Sequence, residues 1–229
     1  MKKIFVLIAA LGLSSVGWAD TARQSAIDRI QDASVVLQQI MAAPDKGIPD
    51  EVMEHAKCIA VVPHLVKAGF VFGGEGGSGV ATCRTAHGWS APVFFNLAGG
   101  SWGLQIGVEG VDLVMVFQNE KGMQELLSSK FQLGAGASVA AGPVGRHATA
   151  DTDWKMNAEI LTYSRAKGIF AGLTLHGAVI THNEDAMRAM YGPNVTARAV
   201  LNGQIPAPSS THPFLAAVRK ADDQARASG

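Results

Sequence analysis

Gly99-Gly100-Ser101-Trp102-Gly103 spells GxSxG, the pattern that in ester hydrolases presents a serine at a sharp strand-to-helix turn. With Asp112 and then His147 or His176 it would complete a Ser, Asp, His order, and the chemistry would be nucleophilic attack on an ester. The residues around Ser101 alternate, however. Trp102, Leu104, Ile106 and Val108 fall on one face, and Gly103, Gln105, Gly107 and Glu109 on the other, which predicts a strand and denies the elbow. Gly74-Glu75-Gly76-Gly77-Ser78-Gly79 spells GxGxxG, but Val80-Ala81-Thr82-Cys83 continues as a strand where a dinucleotide needs a helix N-terminus. The run is read as a glycine hairpin. The 7 His show no HExxH or other metal spacing, and Cys58 and Cys83 form no CxxC, so neither metal nor cofactor is expected and catalysis is not the favoured reading.

The chain has 229 residues, 48% of them apolar, with 19 Lys plus Arg against 19 Asp plus Glu. That balance excludes disorder and the basic excess of a nucleic-acid binder. Lys2 and Lys3 precede the apolar run Ile4 to Leu13, and Gly17-Trp18-Ala19 offers small residues at a cleavage site. Residues 1–19 are therefore expected to be a secretory signal peptide cleaved near Ala19, since a membrane span needs about 20 apolar residues and this run is half that. The mature chain would be periplasmic or secreted. It would not be a lipoprotein, because the first cysteine is Cys58, far from the leader. In an oxidising compartment Cys58 and Cys83 form a disulfide if their strands are neighbours, and otherwise are two small buried thiols.

The elements that must position these residues follow from periodicity. From Thr21 to Ala43, Ala26, Ile27, Ile30, Ala33, Leu37, Ile40 and Met41 recur at helical spacing until Pro44 and Gly47 end the pattern. Its apolar face is expected to dock on a sheet, with insertion into a membrane as the alternative. A short helix over Pro49 to Ala56 follows. Strands are predicted at Cys58 to Val62, Gly69 to Phe72, Gly79 to Arg84, Trp89 to Leu97, Ser101 to Glu109 and Val111 to Phe117. Further strands are expected at Gly134 to Ala141, Asn157 to Ser164 and Gly168 to Ile180. Helices are expected at Glu120 to Ser129, Glu184 to Met190, Val195 to Leu201 and Phe214 to Ala227. The 26 glycines, bare on one strand face, favour a curved or barrel-like sheet. The expected fold class is therefore α+β: a single domain with a mainly antiparallel, glycine-rich sheet and flanking helices. Residues 20–204 form the domain, and 205–229 a linker and C-terminal helix.

Several strings then accumulate in one order. Cys58-Ile59-Ala60-Val61-Val62-Pro63 precedes Lys67-Ala68-Gly69-Phe70-Val71-Phe72-Gly73-Gly74, and Gly88-Trp89-Ser90-Ala91-Pro92 precedes Gly99-Gly100-Ser101-Trp102-Gly103-Leu104-Gln105-Ile106-Gly107. Gly142-Pro143-Val144-Gly145-Arg146 and Tyr163-Ser164-Arg165-Ala166-Lys167-Gly168-Ile169-Phe170-Ala171-Gly172 complete the set. From about Asp20 to Leu201 the chain resembles the SYLF domain family. The resemblance implies a non-enzymatic lipid-binding module, actin-binding in yeast members, with membrane contact through an amphipathic N-terminal helix and basic residues. Here Arg23 and Arg29 on that helix are outweighed by Asp20, Asp28 and Asp32, so the polybasic signal is missing.

The expectation that follows is an apolar groove between sheet and N-terminal helix, holding a phospholipid or fatty acyl chain. Lys57, Lys67, Arg84, Arg146, Arg165 and Lys167 are its candidate head-group contacts, with Trp89 and Trp102 beside them. The partners expected are a lipid or membrane surface and no nucleic acid, with an envelope protein as a further partner and actin not expected for an exported bacterial chain. The alternative is an envelope module that binds a protein partner without lipid, and the remote one is a hydrolase using Ser101.

Overall fold

Two strands dominate the chain, β1 (Cys58–Thr85) and β3 (Val93–Phe117), and they pair antiparallel from Cys58 opposite Phe117 to Ala81 opposite Val93. A computed structural model describes residues 14–43, 47–143, 158–166, 169–171, 175 and 177–228. Around the ribbon stand α1 (Ser14–Met41), α2 (Asp50–Glu54), β2 (Gly88–Trp89), α3 (Glu120–Leu126), β4 (Lys130–Gln132), β5 (Val139–Ala141), β6 (Ile160–Ala166), β7 (Ile169–Ala171), β8 (Val179–His182), α4 (Glu184–Tyr191), α5 (Ala197–Leu201) and α6 (His212–Ser228). The first half of β3 is widened by β8 and then β4, and its second half by β6, which carries β5 and β7. The only parallel pair among these strands is β5 with β6.

The ribbon folds back on itself. Residues 25 apart on an extended strand lie about 80 Å apart, yet the Cα atoms of Cys58 and Cys83 are 4.0 Å apart and their sulfurs are bonded. Lys57 accepts a backbone hydrogen bond from Arg84 at 2.7 Å beside that bond. The reversal is distributed over two irregularities in the ladder, between Val62 and Leu65 and between Gly69 and Val71. The first contains Pro63, which has no N–H to give the ladder, and His64 in the left-handed region at φ 55°. The His64 N–H is taken by Asp112 Oδ1 at 3.2 Å, which satisfies the donor that the bulge turns out of the ladder.

The face-to-face contact that results explains two glycines. A Cβ at Gly79 would lie 2.6 Å from the Val61 carbonyl oxygen and 2.5 Å from the Phe95 ring, and one at Gly77 would lie 2.7 Å from Val62. The returning half of β1 thus lies on the outgoing half with no room for a side chain. The result is a strongly curled, antiparallel-rich sheet, a half-barrel with flanking helices in one domain. Phe95 lies against Gly79 inside the curl and Phe94 faces the helix layer under Arg29 of α1, and both are buried together with Phe117, Leu65, Leu97 and Leu113.

The fold class agrees with the expectation, but the strand count does not. The three segments predicted over residues 58–84 are one continuous strand, and those over 93–117 are another. The glycine run Gly74 to Gly79 is no hairpin; it sits inside β1 with Gly74 opposite Gly100 and Gly79 opposite Phe95. Glycine was read as a turn where it supplies close approach along a bend. The strand expected over Gly134 to Ala141 is reduced to β5, and the one over Gly168 to Ile180 is two strands, β7 and β8.

The helices form a layer against the ribbon. Along α1, Ala26, Ile30, Ala33, Leu37 and Ile40 recur three or four residues apart and are fully buried. They pack against β1, α4 and α6. Ser34 Oγ donates to the Pro213 carbonyl at 3.1 Å, and Arg23 Nη1 to the Ala189 carbonyl at 3.0 Å, fastening the helix to both neighbours. The apolar face of α1 is therefore docked on the protein itself.

Two outcomes are expected. Cys58→Ser with Cys83→Ser, or reduction of the wild type, lowers stability by about 3 kcal/mol and the melting temperature by roughly 10 °C; calorimetry with and without dithiothreitol measures both. Gly79→Ala costs about 2 kcal/mol or more by overpacking, whereas Gly100→Ala, where a Cβ meets nothing within 4 Å, costs much less; urea titration compares them.

Candidate functional site

The bend of the ribbon presents two unlike faces. Inside it, Lys67 Nζ meets Glu75 Oε2 at 3.3 Å, and the Glu75 side chain is only 5% exposed. Eight residues of extended strand would hold these groups about 26 Å apart, so the ion pair bridges the bend from within. Outside it, alternation turns Val66 and Ala68 outward, and the ladder places Gly110 opposite Val66 and Val108 opposite Ala68. Val66 is 46% and Val108 78% exposed, and both lie on the same outer face. No charged residue occurs between Lys67 and Glu75 or between Gly99 and Val108, and the ladder runs on through Val71 opposite Gly103 and Phe72 opposite Trp102. Where its side chains are described, at Val66, Ala68 and Val108, the outer face of the bend is uncharged, apolar and open to solvent.

The residues proposed to meet a head group are distributed elsewhere. Lys57, at the mouth of β1, pairs with Glu120 at 3.5 Å on the surface. Arg165 on β6 pairs with Asp112 at 2.8 Å, the same carboxylate that caps His64. Arg84 and Trp89 are the two candidates brought together. Arg84 makes a bidentate pair with Asp222 on α6 at 2.8 and 2.9 Å and donates Nε to the Ala56 carbonyl at 3.1 Å. Its guanidinium lies over the Trp89 ring at 4.6 Å, and Trp89 Nε1 donates to Asp222 at 3.2 Å. Arg226 completes the group at 3.0 Å. Trp102 occupies the ladder opposite Phe72, while Arg146 and Lys167 lie outside the described residues. Each described basic candidate thus faces a carboxylate of its own chain, so binding an anion there means breaking an internal pair.

Ser101 stands opposite Gly73 in the middle of β3, which runs on as strand to Phe117. No helix follows it, so the nucleophile elbow is not formed. Asp112 is committed to Arg165 and His64, and His147 and His176 lie outside the described residues. Among the described residues no group of three His, Cys, Asp or Glu is placed to hold a metal. A cleft of about 340 Å³ near the start of α4 is open and of mixed lining, with Leu127, Met187 and Val195 beside His182, Glu184 and Arg198.

The outer strip was missed as a site, although its signal was present. Val108 grouped by parity with Trp102, Leu104 and Ile106, and the missing charges around the bend were legible; parity distinguishes two faces without saying which one meets solvent.

Burial alone would raise the Asp222 carboxyl, yet Arg84, with hydrogen bonds from Trp89 and Arg226, holds it below its usual value. A depressed carboxyl contributes stability that is complete above its unfolded value of about 3.9 and lost as pH falls through the lower folded one. Asp222→Asn is expected to cost about 2–3 kcal/mol at neutral pH by leaving Arg84 unpaired. It should also shrink the fall in stability on acidification below about pH 4; denaturant titrations at pH 7 and pH 3 measure both effects.

Comparison with known proteins gives a consistent assignment. A family model described as Ysc84, Las17-binding protein actin regulator, matches residues 98–221. LAS seventeen-binding protein 3 of Saccharomyces cerevisiae is 36% identical over 187 residues, which is 80% of this chain and 40% of that protein. Protein YSC84 of the same yeast is 36% identical over 175 residues, 75% of this chain and 37% of its own length. The human SH3 domain-containing YSC84-like protein 1 is 33% identical over 168 residues, 72% of this chain and 49% of that protein. The chain thus spans less than half the length of these relatives. Since the matched model covers more than half of the chain, including β3 from Ala98 and α6 as far as Ala221, this protein belongs to the Ysc84 family, whose domain is known as SYLF.

Proposed function

We propose that the domain is a non-enzymatic lipid-binding module that works outside the cytoplasm after removal of residues 1–19. The observation that carries this is the uncharged patch on the bend, where Val66 and Val108 stay 46% and 78% exposed on one face. Exposed apolar side chains concentrated on one face favour an apolar partner. The Cys58–Cys83 bond supports an oxidising compartment.

The chemistry of the charged groups narrows the ligand. With Lys57, Lys67, Arg84 and Arg165 each engaged by a carboxylate, these four described candidates have little to offer a head-group phosphate. Selection is then for hydrocarbon rather than charge, since each basic residue near an anionic surface contributes only about 1 kcal/mol when free. The groove expected between α1 and the sheet is not the favoured place, because the facing side chains of α1 are buried in contact with the protein. The Las17 binding in the relatives' names is not carried over to a chain that spans under half of them, and an exported chain would not meet actin.

Protein purified oxidised from its own compartment is expected to retain phospholipid or fatty acid in native mass spectrometry, or to gain melting temperature with zwitterionic lipid. Affinity for neutral and anionic lipid should agree within about threefold, and added salt should change it little. A protein that carries no lipid and does not respond to any would end this reading and favour a protein partner. Ester hydrolysis abolished by Ser101→Ala would overturn its non-enzymatic part.

A further inference from the structure

We infer that the outer face of the bend is a wedge that enters the head-group boundary of a bilayer, with Val66, Ala68 and Val108 as its contact residues. This rests on the lipid-binding reading and narrows it from lipid in general to a lipid surface. The shape of the site argues for it. Leu65 faces inward and is buried, with Gly77 of the returning strand packed over it. Val66 and Val108 point the other way, so the strip lies on the convex side of the curl. A convex face cannot enclose an extracted acyl chain, which a carrier must shield on all sides, but it can be received by a fluid surface.

The charges agree with a bilayer as occupant. Residues 68–74 on one strand and 99–108 on the other contain no Asp, Glu, Lys or Arg. The charges that bound this neutral stretch stand off the outer face: Lys67 and Glu75 pair inside the bend, Glu109 is opposite Lys67 in the ladder and so shares its inner face, and Asp112 pairs with Arg165 where β6 begins to cover the ribbon. A protein partner selected by charge would find no complementary group on the strip, whereas hydrocarbon requires that none be present.

The backbone sets the depth. Between Gly99 and Val111 the described partner of β3 is β1 alone, because β8 reaches only to Ala98 and β6 only from Asp112. A two-stranded ribbon pairs its inner N–H and C=O groups and leaves those on its two edges to water. The side chains can therefore enter apolar material while the edges stay at the head-group level, which makes the wedge shallow, about 5–10 Å.

The test is flotation of the oxidised mature chain with phosphatidylcholine vesicles at low and high salt, comparing wild type, Val108→Asp and the near-isosteric Val108→Thr. Wild type is expected to float at both salt concentrations. Val108→Asp should lose at least tenfold in bound fraction, and Val108→Thr severalfold, with melting temperatures within about 2 °C of wild type for the threonine variant. If Val108→Asp is destabilised, the threonine variant with Val66→Thr added carries the comparison. Variants that float as well as wild type overturn the wedge and leave the lipid reading standing. A wild type that retains fatty acid in native mass spectrometry but floats with no vesicle does the same. A wild type that neither retains lipid nor floats overturns both.

Discussion

A strand that must lie against itself is the constraint on which the rest of this structure depends. β1 keeps its ladder to β3 over nearly its whole length while its two ends come within 4.0 Å. Backbone pairing and reversal conflict unless the ladder slips where the curvature concentrates, and it slips at Val62/Leu65 and Gly69/Val71. Once the halves meet, Gly77 and Gly79 are obligatory and the interior is left to phenylalanine and leucine side chains. The convex strip and the concave ion pair are two sides of the same curvature.

Much of this was legible in the sequence, and the parts that were not share a cause. The α1 stripe from Ala26 to Ile40 and the C-terminal helix follow from local periodicity, because a helix carries its pairing partners within four residues. Glycine weighs equally as a turn signal and as a mark of close approach, and only the partner across the gap decides between them; Gly79 needs Val61 and Phe95 to declare its role. Cys58 and Cys83 were allowed to bond if their strands were neighbours, and they turn out to be the two ends of one strand.

The basic residues show the same limit in electrostatics. A sequence displays that Arg84 is charged but not that its counter-ion stands 138 residues away on α6. Once paired with Asp222 and stacked on Trp89, it holds the last helix to the ribbon and is no longer spare for a ligand. The same holds for Lys67, whose partner is close in sequence but reachable only because the strand bends. Neutralisation within the fold, together with the near balance of 17 basic and 19 acidic residues once residues 1–19 are removed, leaves the domain with a weak long-range field. Encounter with any partner is then governed by short-range contact.

The position of the cystine also has a mechanical meaning. Because it joins the two ends of β1, a tension applied through the termini passes across the sulfur bridge and bypasses the 25-residue arc between them. The arc carries Val66, which is thereby shielded from load, whereas Val108 on β3 lies beyond Cys83 and stays on the loaded path. Anchored at one end and pulled at the other, the protein would give up its helices and outer strands while Cys58 and Cys83 stayed joined.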